Sequence, residues 1–183
     1  MTIPNRRSLI LCFALASAPA QAADLATESA FDWSGPWVGL LGSAGRIGGD
    51  GTLVGVAGGY DLQFDRLVIG IDGDVSGGGL DARRAGARYE IEAFGAIRAR
   101  IGYAFGRFVA YGAAGAAFAS AEFAGDDDMQ IGWTVGGGLD FALTERVRLR
   151  AEYLYVDLDR QDLRGVSFGP SGSLGRIGLN YRF

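Results

Sequence analysis

Large apolar side chains recur at every second position through most of this chain, with small, polar or charged residues between them. The stretch "LVIGIDGDV" puts Leu67, Ile69, Ile71 and Val75 on one face and Val68, Gly70, Asp72 and Asp74 on the other. In "YEIEAFGAIRARI", Tyr89, Ile91, Ala93, Gly95, Ile97, Ala99 and Ile101 oppose Glu90, Glu92, Phe94, Ala96, Arg98 and Arg100. "VRLRAEY" sets Val147, Leu149, Ala151 and Tyr153 against Arg148, Arg150 and Glu152. The final "LGRIGLNYRF" repeats the pattern, with Ile177, Leu179, Tyr181 and Phe183 alternating with Arg176, Gly178, Asn180 and Arg182. Successive side chains of an extended chain point to opposite faces, so this period predicts strands rather than helices.

Eight such segments are expected, over residues 36–45, 52–63, 66–76, 87–103, 107–119, 130–142, 146–157 and 174–183. Their links alternate in length. Only a few residues, "FD", "AFG" and "TE", follow the second, fourth and sixth segments, while longer links rich in Gly, Asp, Ser or Arg follow the others. Short turns alternating with long polar loops along an up-and-down meander is the pattern of a transmembrane barrel whose short turns face the periplasm. An even strand number puts both termini on that same side. No apolar run approaches the ~20 residues that a spanning helix needs.

The aromatic positions fit two belts at the lipid boundaries. Trp37, Tyr60, Phe64, Tyr103, Phe105, Phe108, Phe141, Tyr181 and Phe183 fall beside the short turns or termini, and Tyr89, Phe118, Tyr153 and Tyr155 toward the opposite strand ends. A soluble β-sandwich with an aromatic core is the competing fold. It does not call for an export signal, an even meander and a terminal aromatic together.

Such a signal opens the chain. Arg6 and Arg7, an apolar run from Leu9 to Ala18 and the Ala20-Gln21-Ala22 triplet read as a secretory signal peptide over 1–22, with the mature chain starting at Ala23. Residues 23–35 then form a short periplasmic segment and 36–183 the barrel domain. Cys12 lies in the apolar run behind Leu11, so it is not a lipoprotein cysteine, and its removal leaves no thiol chemistry. The formal charge of −4 becomes two units more negative once Arg6 and Arg7 are removed, which disfavours nucleic acid as a partner.

The segments "GGYDLQFDRLVIGIDGDVSG", "FGAIRARIGYAFGRFVAYGAAG", "GWTVGGGLDFALTERVRLRAEYLYVDL" and "GLNYRF" resemble the small outer-membrane β-barrels of Gram-negative bacteria, the OmpA-type and opacity-type porin-like surface antigens. The likeness runs from about Trp33 to Phe183. It implies an eight-stranded antiparallel barrel in the cell outer membrane, outer-membrane lipids or lipopolysaccharide as surroundings, and barrel assembly machinery as a partner. By the same resemblance, the terminal Tyr181 and Phe183 form the carboxy-terminal assembly signal.

On this phase the lumen receives Asp61, Asp72, Asp74, Glu90, Glu92, Asp140 and Glu152 together with Arg98, Arg100, Arg148, Arg150, Arg176 and Arg182. Eight strands enclose a space just wide enough for side chains to fill. Nearly balanced charges there read as an ion-paired core, for which the planar guanidinium fork is well suited. A narrow channel is the alternative.

Enzymatic chemistry finds no purchase. "GVSFG" imitates a nucleophile elbow at Ser167, but a chain without histidine cannot build the triad, and the lipid-modifying barrel enzymes that resemble it rely on histidine. "DGDVSG" from Asp72 imitates a calcium loop, yet Arg83 occupies the twelfth position where a glutamate belongs. The 31 glycines cannot form a phosphate-binding P-loop in a chain that has no lysine. Asp126 to Asp128 read as a solvated loop tip. No cofactor or metal is expected. The expected role is structural, for the envelope, or surface interaction through loops 77–87, 120–129 and 158–173, as in an adhesin.

Overall fold

The computed structural model describes residues 31–47, 49–84, 87–123, 126–158, 161–163, 166–168 and 171–183. The chain folds into β1 (Gly35–Ile47), β2 (Gly49–Phe64), β3 (Leu67–Arg84), β4 (Ala87–Phe105), β5 (Phe108–Phe123), β6 (Asp126–Ala142), β7 (Val147–Leu158), the short hairpin β8 (Gln161–Leu163) and β9 (Val166–Phe168), and β10 (Ser171–Arg182). Eight of these close a barrel in the order β1-β10-β7-β6-β5-β4-β3-β2, and every neighbouring pair is antiparallel. The last strand seals it against the first, with Trp37 opposite Arg182, Leu40 opposite Leu179 and Ile47 opposite Gly172. Closure satisfies the backbone groups that an open edge would leave unpaired in hydrocarbon.

Period-two alternation sets which face each residue takes. Leu40, Val54, Ile71, Val75, Ile97, Ile101, Leu139, Ile177 and Leu179 all point outward and are exposed, while the residues between them turn inward. A continuous apolar exterior of this size around a charged interior has the wrong polarity for water and the right one for a bilayer. At the bare ends the chain reverses tightly. Asp65 and Gly106 adopt left-handed φ values of 55° and 59° in the links from β2 to β3 and from β4 to β5, where Asp and Gly tolerate that conformation. Between β6 and β7 the Thr144 hydroxyl accepts from the backbone N–H groups of Arg146 and Val147.

Several expectations change. The stretches 77–87 and 120–129 are mostly strand, because the β3–β4 and β5–β6 ladders continue to Arg84 opposite Ala87 and Phe123 opposite Asp126. Asp126 to Asp128 therefore open β6 rather than tip a loop, and Ser167 lies in β9. Strands of 16 to 19 residues from β2 to β6 stand above the 12 or 13 of β7, β10 and β1, so the outer lip is slanted.

Trp37 is not a belt residue. It is 1% exposed and faces the lumen, because it shares the inward phase of β1 with Leu41, Ser43 and Ile47. The outer belt includes Trp133, packed on Tyr155 at 5.5 Å, which the sequence reading passed over.

Candidate functional site

The lumen is layered. Toward the outer end, Ile47, Leu53, Phe94, Ala117, Leu154, Val156, Leu158 and Leu174 form a buried apolar plug. At the end that carries the chain termini a second buried cluster gathers Val68, Ala104, Val109, Tyr111, Ala113 and Ala142 around Trp33. Trp33 precedes the first strand, yet it is fully buried. Its N–H donates to Gln63 Oε1 at 2.7 Å, its indole N–H to the Gly106 carbonyl at 3.4 Å, and Phe31 meets its ring edge-on at 4.7 Å. Residues 31–34 thus stopper the mouth, and Arg182 holds them there. Its guanidinium donates to the carbonyls of Asp32, Ser34 and Glu145. The Ser34 N–H donates to Asp32 and holds that carboxyl below the usual carboxylate range.

Between the two apolar layers lie five acids and five arginines, all buried: Asp61, Asp72, Asp74, Asp140, Glu152, and Arg98, Arg100, Arg148, Arg150, Arg176. Strands β2, β3, β4, β6, β7 and β10 supply them, each at an inward position. They form one connected chain in which each link joins opposite charges. Arg148 meets Asp61 at 2.8 Å, and Asp61 meets Arg100 at 3.5 Å. Asp140 joins Arg100 and Arg150, each at 2.8 Å, and Arg150 reaches Asp72 at 3.7 Å. Asp72 holds Arg98 at 2.8 Å. Arg98 reaches Glu152 at 2.6 Å and Asp74 at 3.7 Å, and Arg176 closes a four-membered ring onto Asp74 at 2.9 Å and Glu152 at 3.3 Å.

Aromatic rings finish the packing. The Arg150 guanidinium lies 4.5 Å from the centre of the Trp37 ring, and that of Arg100 lies 4.2 Å from Tyr111. The Tyr111 hydroxyl donates to the second oxygen of Glu152 at 2.7 Å. Glycines make room for these rings: a Cβ on Gly59 would lie 2.8 Å from Trp37 and 2.5 Å from the Ile71 carbonyl, and one on Gly138 would lie 2.9 Å from the Tyr111 hydroxyl. Gly59→Ala is therefore expected to lower the melting temperature of the refolded barrel, at a cost of about 1–3 kcal/mol. Gly42→Ala, whose Cβ would meet nothing within 4 Å, is expected to leave it unchanged or slightly raised. Thermal unfolding in detergent, read side by side, checks both.

The structure brings Asp72, Asp74, Arg98, Arg100, Asp140, Arg148, Arg150, Glu152 and Arg176 into this one assembly together with Asp61. Arg182 stands apart at the mouth. The side chains of Glu90 and Glu92 lie outside the described residues, and the β4–β5 register shifts between Ile91 and Ala93, so the alternation through Arg98 does not continue unbroken to them. Sequence reasoning missed Trp33 and Tyr111; the signal for Tyr111 was its place between Val109 and Ala113 on the inward phase of β5. A cavity of about 10 Å³ lies within the network, bordered by Arg98, Arg150, Glu152 and Arg176. That is room for at most one water. Among the described residues no cluster of potential ligands suits a metal ion.

Comparison with known proteins places the chain in context. Residues 8–183 match the outer membrane protein beta-barrel domain family. A 31 kDa outer-membrane immunogenic protein of Brucella melitensis is 32% identical, with 84% of this chain and 85% of that protein covered. A 22 kDa outer membrane protein of Rhizobium leguminosarum bv. viciae is 31% identical, over 85% of this chain and 81% of its own. Among solved structures, Ail, the attachment invasion locus protein of Yersinia pestis in complex with the heparin analogue sucrose octasulfate, superposes with a TM-score of 0.55 at 19% identity, covering 82% of this chain and 97% of Ail. Neisserial surface protein A gives 0.55 at 20%, covering 82% of this chain and 98% of its own. These two likenesses are of fold.

Proposed function

The chain belongs to the outer membrane protein β-barrel family and is an outer-membrane protein, and on that premise we propose that it is a non-enzymatic, non-conducting envelope barrel that presents its outer hairpins at the cell surface. The observation that carries this reading is the lumen. Ten buried charges neutralise one another in a single network, with apolar side chains above and below it and space for at most one water within. An ion entering would have to separate side chains that already neutralise each other's charge, in a lumen they fill. Such an interior supports rigidity, and rigidity suits a platform for surface display.

In planar lipid bilayers the purified, refolded protein is expected to show no unitary conductance steps above the bare-membrane baseline. Reproducible steps that depend on the folded, heat-modifiable form would replace this reading with the narrow-channel one. We attach to the same function Tyr181, exposed on the outward face of β10, and Phe183, exposed just beyond its end, which together serve as the element that assembly machinery recognises.

A further inference from the structure

The periplasmic rim carries a construction that the lumen does not explain. Each of the three links between barrel strands at the end that carries the termini finishes on an arginine immediately before the next strand begins: Arg66 before β3, Arg107 before β5 and Arg146 before β7. They recur at every second strand around the barrel. Two of them repeat the same geometry. Tyr103 stands opposite Leu67 in the β3–β4 ladder, and the Arg66 guanidinium turns to the Tyr103 hydroxyl at 3.4 Å. Tyr181 stands opposite Val147 in the β7–β10 ladder, and the Arg146 guanidinium turns to the Tyr181 hydroxyl at 3.2 Å.

These tyrosines are outward, exposed members of the inner aromatic belt, paired with Phe105 at 4.8 Å and Phe183 at 5.4 Å. Arg107 takes the same place in its link without a tyrosine partner: it precedes Phe108, whose ring packs on Phe141 at 4.6 Å. Among the described residues no acid of the rim makes an ion pair with these guanidinium groups, although the Asp65 charge acts on Arg66 through space. Asp32 is engaged by the Ser34 N–H inside the mouth, and among the described residues neither Asp65, Glu145 nor the terminal carboxylate lies within 4 Å of Arg66, Arg107 or Arg146. Neutralisation within the turn is the cheaper alternative for a surface arginine, and it is not taken here.

A guanidinium held against the bilayer wall at the depth of an aromatic belt presents a planar donor fork where lipid phosphates lie. We propose that Arg66, Arg107 and Arg146 form a ring of three sites for the phosphate of anionic glycerophospholipids in the periplasmic leaflet, with the acyl chains lying along the apolar strand faces above. The ring fixes the depth of the barrel from the inner side. It is independent of whether the lumen conducts.

The test uses the full mature barrel in nanodiscs of phosphatidylcholine containing phosphatidylglycerol, with lipids retained on the released protein counted by native mass spectrometry. The unaltered barrel is expected to retain phosphatidylglycerol in preference to phosphatidylcholine. Each of Arg66→Gln, Arg107→Gln and Arg146→Gln is expected to weaken phosphatidylglycerol about fivefold at its own site, so that roughly one of three retained lipids is lost. Arg46→Gln, at the outer end where Asp50 holds the guanidinium at 2.8 Å, is expected to leave the preference intact. Heat-modifiable migration verifies folding, and the single variants carry the result if the triple variant does not fold. An unchanged preference in the three rim variants overturns the proposal. So does an equal loss in Arg46→Gln, which would reduce the effect to overall charge.

Discussion

Arg98→Leu is expected to destabilise the refolded barrel by about 3–5 kcal/mol, the range for removing one member of a buried ion pair and leaving its partner charged. Arg98 is the branch point of the lumen network. It alone touches three acids, with Asp72 at 2.8 Å, Glu152 at 2.6 Å and Asp74 at 3.7 Å. Leucine fills part of the volume but supplies no donor, so three carboxylates then share the one remaining neighbour of the ring, Arg176, and the more distant Arg150. Arg66→Gln, on the exposed rim, provides the comparison and is expected to change the unfolding free energy little. Urea titration of the barrel in detergent or bilayers gives both numbers. Equal effects at the two positions would mean that the inward charges are not held as the structure places them.

Deletion of Tyr181 to Phe183 is expected to abolish insertion and leave the protein in the periplasm. The cut removes the Trp37–Arg182 and Val38–Tyr181 register pairs that start the seam, and the Phe183 N–H that donates to the Pro36 carbonyl at 3.2 Å. It also removes the guanidinium of Arg182 that pins residues 31–34 in the mouth. Deleting three residues from the 159–170 link, which carries β8 and β9, touches no rung of the barrel and is expected to be tolerated. Membrane fractionation and heat-modifiable gel migration separate the outcomes. Normal insertion of the carboxy-terminal truncation would remove both the assembly signal and the seam as requirements for folding.

The fold was legible because a membrane barrel obeys one rule at each strand position. Along β7, β10 and the parts of β3 and β4 on the lumen-network side of their register shifts the alternation is clean, since one face must meet hydrocarbon and the other is charged. Along β1 the rule is weak. Trp37 and Leu41 point in while Val38 and Leu40 point out, and apolar residues on both faces hide the phase, which is why Trp37 reads as a belt residue until its burial is seen. The set of inward charges was also legible, but its pairing was not. Arg98 meets Glu152 across 54 positions and Arg148 meets Asp61 across 87, separations set by strand stagger around the closed barrel, which no local pattern encodes. The outer hairpins misled through composition. Gly, Asp and Arg suit solvent, and the ladders above the bilayer stand in solvent while still pairing. Trp33 lies before the alternation begins, so nothing periodic marks it.

The connectedness of the lumen network bears on how such a sequence can change over time. A lipid-facing valine can drift to leucine or isoleucine with little consequence, since hydrocarbon discriminates poorly among them. A lumen charge has no such liberty. Because each is shared by partners from other strands, with Arg176 on β10 holding Asp74 of β3 and Glu152 of β7, a single change unbalances residues that are remote in sequence. The interior is therefore expected to behave as one compound character, changed by coordinated replacement rather than one residue at a time.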